Sequence, residues 1–191
     1  MLDVACLTTW MESHFRGPGA DAFRLETQQV YEVASDGSDY RRRLDGATEP
    51  TWERKRAWFD TLDRERDEGR QQRHVRIVTR PITSYTAMEC TWAYALNEEH
   101  GQRVRILDLG ERALPAGTEA GYDWWLVTDG EGARHALAMR YSPDGAFVGA
   151  EELPHAAAQA LQRSRDLLWG AAEEFTSWYA RHPELHRPAV A

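Results

Sequence analysis

Polar and apolar side chains alternate along His74-Val75-Arg76-Ile77-Val78-Thr79, a period of two that predicts a strand closed by Pro81. Thr51 to Gly69 instead has helical spacing: Thr51 is a capping residue, Trp52, Trp58, Phe59 and Leu62 form an apolar side, and Gly69 fits the stop. Ser84 to His100 predicts a second long helix, with Tyr85, Met88, Trp92, Ala95 and Leu96 on one stripe and Gly101 after it. Val104 to Leu109 predicts another strand, so residues 74–109 read as a βαβ unit. Upstream, Asp21 is expected to cap a segment that begins with helical spacing at Phe23 and Thr27 and becomes strand-like at Tyr31-Glu32-Val33. Ser35 to Gly46 is polar and rich in turn residues.

Beyond residue 120 the pattern changes. Asp123-Trp124-Trp125-Leu126-Val127-Thr128, His135 to Tyr141 and Ala146 to Leu153 are short strands separated by Gly- and Pro-containing turns, an antiparallel meander. Pro154 opens a helix expected to run to about Arg181, with Leu161, Leu168, Trp169, Phe175 and Trp178 on its apolar side. The expected fold class is α/β with α+β character: a mixed sheet from a βαβ unit plus the meander, covered by helices. One globular domain is expected at 20–181, preceded by an N-terminal arm at 1–19 that ends in Arg16-Gly17-Pro18-Gly19, and followed by a tail at 182–191.

Composition narrows the function. With 191 residues, 42% apolar and 28% charged, the chain reads as one ordinary globular domain. It has no apolar run long enough to span a bilayer and no signal-peptide start, and its two cysteines, Cys6 and Cys90, are far apart; a cytoplasmic protein with reduced thiols is expected. A net charge of −8 argues against direct nucleic-acid binding, although positive charge gathers between Arg41 and Arg80. Lys55 is the only lysine, and arginine supplies every other fixed cation, a usage expected of a GC-rich, actinobacterial genome.

That single lysine excludes much chemistry. Lys55 lies in Glu53-Arg54-Lys55-Arg56 on a charged helical face, so neither a phosphate-binding Walker loop nor a kinase-type strand lysine is available, and pyridoxal chemistry has no suited lysine. The sequence also lacks a His-x-Lys pair, a Gly-x-Ser-x-Gly elbow, a Cys-x-x-Cys pair and a His-Glu-x-x-His motif. His182 and His186 are four apart, but Pro183 breaks the helix between them; no metal and no cofactor is expected. Cys90, between Glu89 and Thr91, is expected to be a buried, indifferent thiol.

The candidate ligand residues lie at strand ends. Arg76 and Arg80 flank the first βα turn, and Ser84, Tyr85 and Glu89 open the helix that follows. Ligands in open α/β sheets bind beyond the carboxyl ends of strands, near helix N-termini that favour anions. Arg80 is placed either to hold a carboxylate or phosphate, with Tyr85 and Glu89 shaping the site, or, as the more ordinary use, to form a structural ion pair with Glu89 or Asp108. Asp123, Trp124 and Trp125 complete the candidates, since the alternation puts one Trp in the core and the other toward the surface.

Phe23-Arg24-Leu25-Glu26, Val75-Arg76-Ile77-Val78 leading to Pro81-Ile82-Thr83-Ser84-Tyr85, Asp123-Trp124-Trp125-Leu126 and Asp129 occur in that order, followed by Met139, Tyr141, Asp144-Gly145 and Gly149-Ala150-Glu151-Glu152. Over roughly residues 20–180 this resembles a streptomycete and actinobacterial domain-of-unknown-function family often encoded beside helix-turn-helix regulators. The resemblance implies a non-catalytic regulatory or interaction domain that binds a partner protein, such as a helix-turn-helix regulator. It brings no catalytic residues. The pattern is also similar, by analogy alone, to catalytically inactive phospholipase-D-like domains. The alternative is a small-molecule enzyme or binder acting on an anionic, nucleotide- or amino-acid-derived substrate through Arg76, Arg80, Tyr85 and Glu89. Direct nucleic-acid binding through the basic helix ranks last.

Overall fold

In a computed structural model, which describes residues 1–32 and 39–186, seven strands form one mixed sheet. They are β1 (Asp21–Glu26), β2 (Gln71–Val78), β3 (Arg103–Asp108), β4 (Trp124–Thr128), β5 (Arg134–Tyr141), β6 (Phe147–Glu152) and β7 (Glu173–Glu174). Their spatial order is β6-β5-β4-β1-β2-β3-β7. β1, β2 and β3 run parallel; every other pairing is antiparallel. The mixed α/β architecture read from the sequence is thus the one observed.

Asp21–Glu26 is a correction: the segment is the central strand of the sheet, not the start of a helix. Phe23 and Leu25 face one side and Ala22, Arg24 and Glu26 the other, and all of them except Arg24 are buried. Apolar Ala22 interrupts the polar side of the alternation, and Phe23 and Thr27, four apart, offer a competing helical spacing. Consequently there are two βαβ crossovers rather than one. The first passes through α2 (Asp39–Leu44) and α3 (Trp52–Asp67), and the second through the helical segment 84–99. Residues 35–38 of the predicted polar stretch lie outside the described residues, and its remainder contains α2.

The segment 84–99 is helical throughout but not uniform. α4 (Ser84–Glu89) passes through a π turn (Cys90–Tyr94) into α5 (Ala95–Glu99). The C-terminal helix also departs from expectation. α6 (His155–Ala171) stops at Ala172, which is extended, and Glu173–Glu174 pair with Arg105 and Ile106 of β3 before α7 (Phe175–Ala180) begins. The short β7 covers an edge of β3 that would otherwise be open. Arg112 and Arg181 both reach Glu173.

The two faces of the sheet are covered differently. α6 packs Ala158, Leu161 and Leu168 against Phe23, Leu25, Val75, Ile77, Leu107, Trp124 and Leu126. On the opposite face α7 packs Phe175 and Trp178 against Val78, Val104 and Ile106, and Leu185 joins them. α1 (Val4–His14) brings Trp10, with Phe15 just beyond it, against Ala22, Val127, Leu137 and Met139. Leu2 exchanges backbone hydrogen bonds with Ala150 of β6. Between these two apolar clusters, the same face carries polar side chains.

Candidate functional site

The register of β1 and β2 pairs Arg24 with His74 and Glu26 with Arg76. All four project to the face under α3 and the 84–99 helix, so the middle of the sheet presents charge where an apolar layer is the norm. Arg76 is 0% exposed and His74 and Glu26 are buried. Buried charges persist only when they are paired and hydrogen-bonded, and Glu26 supplies the pairing. Its Oε1 lies 2.6 Å from Arg24 Nη2, and its Oε2 accepts from Arg76 Nη1 (3.2 Å) and from the Tyr94 hydroxyl (3.1 Å). His74 Nε2 is 2.9 Å from the same Oε2. Burial pushes the Glu26 carboxyl up, but Arg24, His74 and Arg76 together outweigh it and hold the group well below the usual carboxylate range.

Aromatic rings frame the cations. The Arg76 guanidinium stands over Tyr31 (4.9 Å) and Tyr85 (5.9 Å), and that of Arg24 over Trp125 (5.4 Å) and Tyr31 (6.0 Å). Tyr31 in turn donates to Asp123 Oδ2, while Asp123 Oδ1 accepts from the backbone and hydroxyl of Thr27 at 2.8 and 2.7 Å. Asp123 is therefore a buried clamp between β4 and the end of β1.

Above this network is a cavity of about 340 Å³, lined among others by Arg24, Glu26, Arg54, Lys55, Trp58, His74, Tyr85, Glu89 and Tyr94. Lys55, placed by its sequence neighbours on a solvated face, is half-buried and points its helix face into the cavity wall. Two groups at this wall, Arg24 and Glu89, are the most telling. The Arg24 Nε is buried with no hydrogen-bond partner among the described residues. Glu89 is half-buried and its carboxyl is pushed up to about 7, by burial first and then by Glu26, against the pull of Lys55, Arg76 and Arg24. A carboxyl that titrates near neutrality beside fixed cations is suited to giving and taking protons. Cys90, next along the chain, is buried and its thiol is pushed up to about 12, by burial first and then by Glu89, the opposite of an activated nucleophile.

Of the eight residues proposed from sequence, Arg76, Tyr85 and Glu89 come together here, and Trp125 touches the group through Arg24. Arg80 does not. Its Nη2 lies 2.6 Å from Asp108 Oδ2 and 3.0 Å from His182 Nε2, with Glu111 Oε1 at 3.6 Å. Of the two ion pairs weighed for Arg80, the one with Asp108 is formed. The expected crevice beyond the strand ends is filled by the chain itself: Gln29 bonds Thr27, Ile77 and Thr79, and Thr83 caps α4 by accepting from Thr86 N. Ser84 is exposed, its hydroxyl 2.8 Å from that of Tyr40. Trp124 is fully buried on the opposite face, stacked on Phe23 at 5.1 Å. His182 and His186 diverge, the first to Trp178 O and the second to Tyr179 O.

The sequence reading missed Arg24, Glu26, His74, Lys55 and Tyr94. The first three carried a usable signal: Arg24 and Glu26 alternate with Phe23 and Leu25 just as His74 and Arg76 alternate with Val75 and Ile77. Two adjacent strands with charged residues on one side require a common polar layer. Lys55 and Tyr94 carried none, because their direction depends on how α3 docks and on the π turn.

No curated protein and no solved structure matches this chain. No helix among the described residues is long and apolar enough to cross a membrane. The model of one family, described as Domain of unknown function (DUF6879), matches residues 10–180, and the chain belongs to that family.

Proposed function

We propose that this domain binds a small molecule bearing a carboxylate or phosphate group in the cavity over β1 and β2, and that Glu89 exchanges a proton with it. The observation that carries this reading is the convergence in one 340 Å³ cavity of Lys55, Arg54 and Arg24 with a carboxyl that titrates at about 7. Lys55 and Arg54 receive the anionic group, Arg24 offers its unused Nε–H, and Glu89 faces the part of the ligand that changes protonation. Glu26 is not the proton-transfer group, since four side chains already hold it ionised.

The reading is tested by thermal melting of the purified protein with inorganic phosphate, pyrophosphate and citrate. At least one of these anions is expected to raise the melting temperature of the wild type but not of Lys55→Ala. A shift that survives in Lys55→Ala, or no shift with any of them, overturns it. Because it is the sole lysine, Lys55 also gives a chemical readout. A bound anion is expected to protect it from reductive methylation, read on the intact chain as modification of the α-amino group alone instead of both amines.

Glu89 makes a second prediction, with a fixed sign. Its folded-state value of about 7 lies above the ordinary 4.5, so the unfolded chain ionises first and wild-type stability falls as pH rises between the two. Glu89→Gln, which mimics the protonated form, is expected to gain about 1–3 kcal/mol over wild type across that window and to hold the gain at higher pH. Urea titrations at several pH values check it; an advantage that does not change with pH would show that Glu89 is not held protonated.

One observation favours a second reading, attachment of a partner protein such as a helix-turn-helix regulator. A groove of about 720 Å³ gathers Leu7, Met11, Phe15, Trp58 and Trp125 among charged and polar side chains that include Arg64 and Glu68. Elsewhere the exposed large apolar side chains, such as Val4, Trp52, Leu114 and Val148, are dispersed along the chain. Loss of regulator co-elution on Met11→Asp, with melting temperature unchanged, is the outcome this reading requires.

A further inference from the structure

His14 ends α1, His135 lies in β5 and Glu152 ends β6; in sequence they form no motif. The fold brings one ligand atom from each to within 4.8 Å of the others. The register explains how. Leu137 is opposite Glu152, so His135, two residues earlier on the same face, is its diagonal neighbour, and that face is the one on which α1 lies. The two imidazole rings stand 4.0 Å apart, and the Trp10 ring backs His14 at 4.6 Å.

We infer that His14, His135 and Glu152 form a binding site for a divalent transition metal of the zinc class. Two imidazoles and one carboxylate are a donor set that zinc takes at three positions, leaving the fourth to water. Zinc–ligand bonds of about 2.0–2.2 Å require the three donor atoms to draw somewhat closer than they stand, a movement that side-chain rotation supplies. The outer contacts fit as well. His14 Nδ1 lies 2.9 Å from Trp10 O and, facing a carbonyl, must donate; the proton therefore sits on Nδ1 and the lone pair of Nε2 is free for a metal. Asp129 Oδ2 is 3.9 Å from His135 Nε2, longer than a hydrogen bond, and a small turn of the imidazole would bring it into the place of an outer carboxylate. Asp129 is itself fixed, its Oδ1 accepting from Glu131 N and Ala133 N at 3.0 and 2.8 Å.

The second grouping of this kind, Asp108, Glu111 and His182, differs in one decisive respect. The Arg80 guanidinium lies within 2.6–3.6 Å of all three, so a fixed cation already stands where an ion would. Among the described residues, the first grouping has no such occupant. A metal there joins α1 to two strands at the far edge of the sheet from β7, so its binding is also an attachment of the N-terminal helix.

The test uses the whole chain stripped of metal by chelation, with Zn²⁺ alone as titrant in calorimetry and Co²⁺ as a spectroscopic probe. One equivalent of Zn²⁺ is expected to bind and to raise the melting temperature, and Co²⁺ to give the visible bands of a low-coordinate nitrogen–oxygen site. His135→Ala and Glu152→Ala are each expected to weaken binding at least tenfold. Glu152 is exposed, so its variant tests the site without disturbing the core. His182→Asn is expected to leave binding unchanged. Binding that is undiminished in Glu152→Ala and His135→Ala, binding lost in His182→Asn instead, or no saturable binding to the wild type would each overturn the inference.

Discussion

Glu26→Gln is expected to lower the free energy of unfolding by about 3–5 kcal/mol, the cost of leaving buried charge without its partner. The substitution keeps size and shape, so neither a cavity nor a clash accounts for the loss. It removes the one carboxylate that Arg24, His74 and Arg76 share, and Arg76 has no route to water. The double variant Glu26→Leu/Arg76→Met is expected to be more stable than Glu26→Gln alone, since an apolar pair of similar volume carries no desolvation penalty. Urea unfolding of the three chains, compared by midpoint and slope, measures this. A loss below about 1 kcal/mol, the scale of an exposed pair, would mean that water reaches the network. The pH dependence has a definite direction. Since the folded-state value is depressed, the wild type holds this contribution throughout the range above 4.5, the ordinary glutamate value, and loses it progressively as pH falls from there through the depressed one. Glu26→Gln lacks the contribution at every pH, so the two curves converge in acid.

The second large effect is expected from Trp124→Ala, which should cost about 3–5 kcal/mol by leaving a void in the core. Trp124 is 0% exposed, packs within the cluster covered by α6, and donates its indole N–H to Glu119 O at 2.7 Å. Its neighbour Trp125 is half-buried under the Arg24 guanidinium. Trp125→Ala is expected to cost clearly less and to act on the cavity instead, because Arg24 loses the ring that holds it over Glu26. Equal destabilisation by the two variants would contradict the assignment of faces.

That difference between adjacent tryptophans was legible in the sequence, because alternation on a strand needs only the period of the backbone. The parallel pair β2–β3, the meander and α3 were legible for similar local reasons. β1 was not: Ala22, Phe23 and Leu25 are buried on opposite faces, and the helical spacing of Phe23 and Thr27 competes with the strand period. Missing β1 hid Arg24 and Glu26, and with them the partner that explains Arg76. For Arg80 the sequence offered both a ligand and an ion pair with Glu89 or Asp108; the pair with Asp108 is the one formed, and only the added contact with the distant His182 was hidden. The break between α6 and α7 was equally hidden, since Ala172, Glu173 and Glu174 are ordinary helix residues and only the open edge of β3 turns them into a strand.

The π turn at Cys90–Tyr94 carries one residue more than a regular helix would use to cover the same length. Each residue of an α-helix advances about 100° around its axis. The extra residue therefore re-phases everything after it while leaving Tyr85 and Glu89 untouched. With the turn, Tyr94 reaches Glu26 and Asn97 joins Gln102 at the cavity rim. A chain one residue shorter at this point would keep its helix, yet would aim Tyr94 and Asn97 elsewhere. A chain without that one residue would therefore lack the two side chains that close the far wall of this cavity.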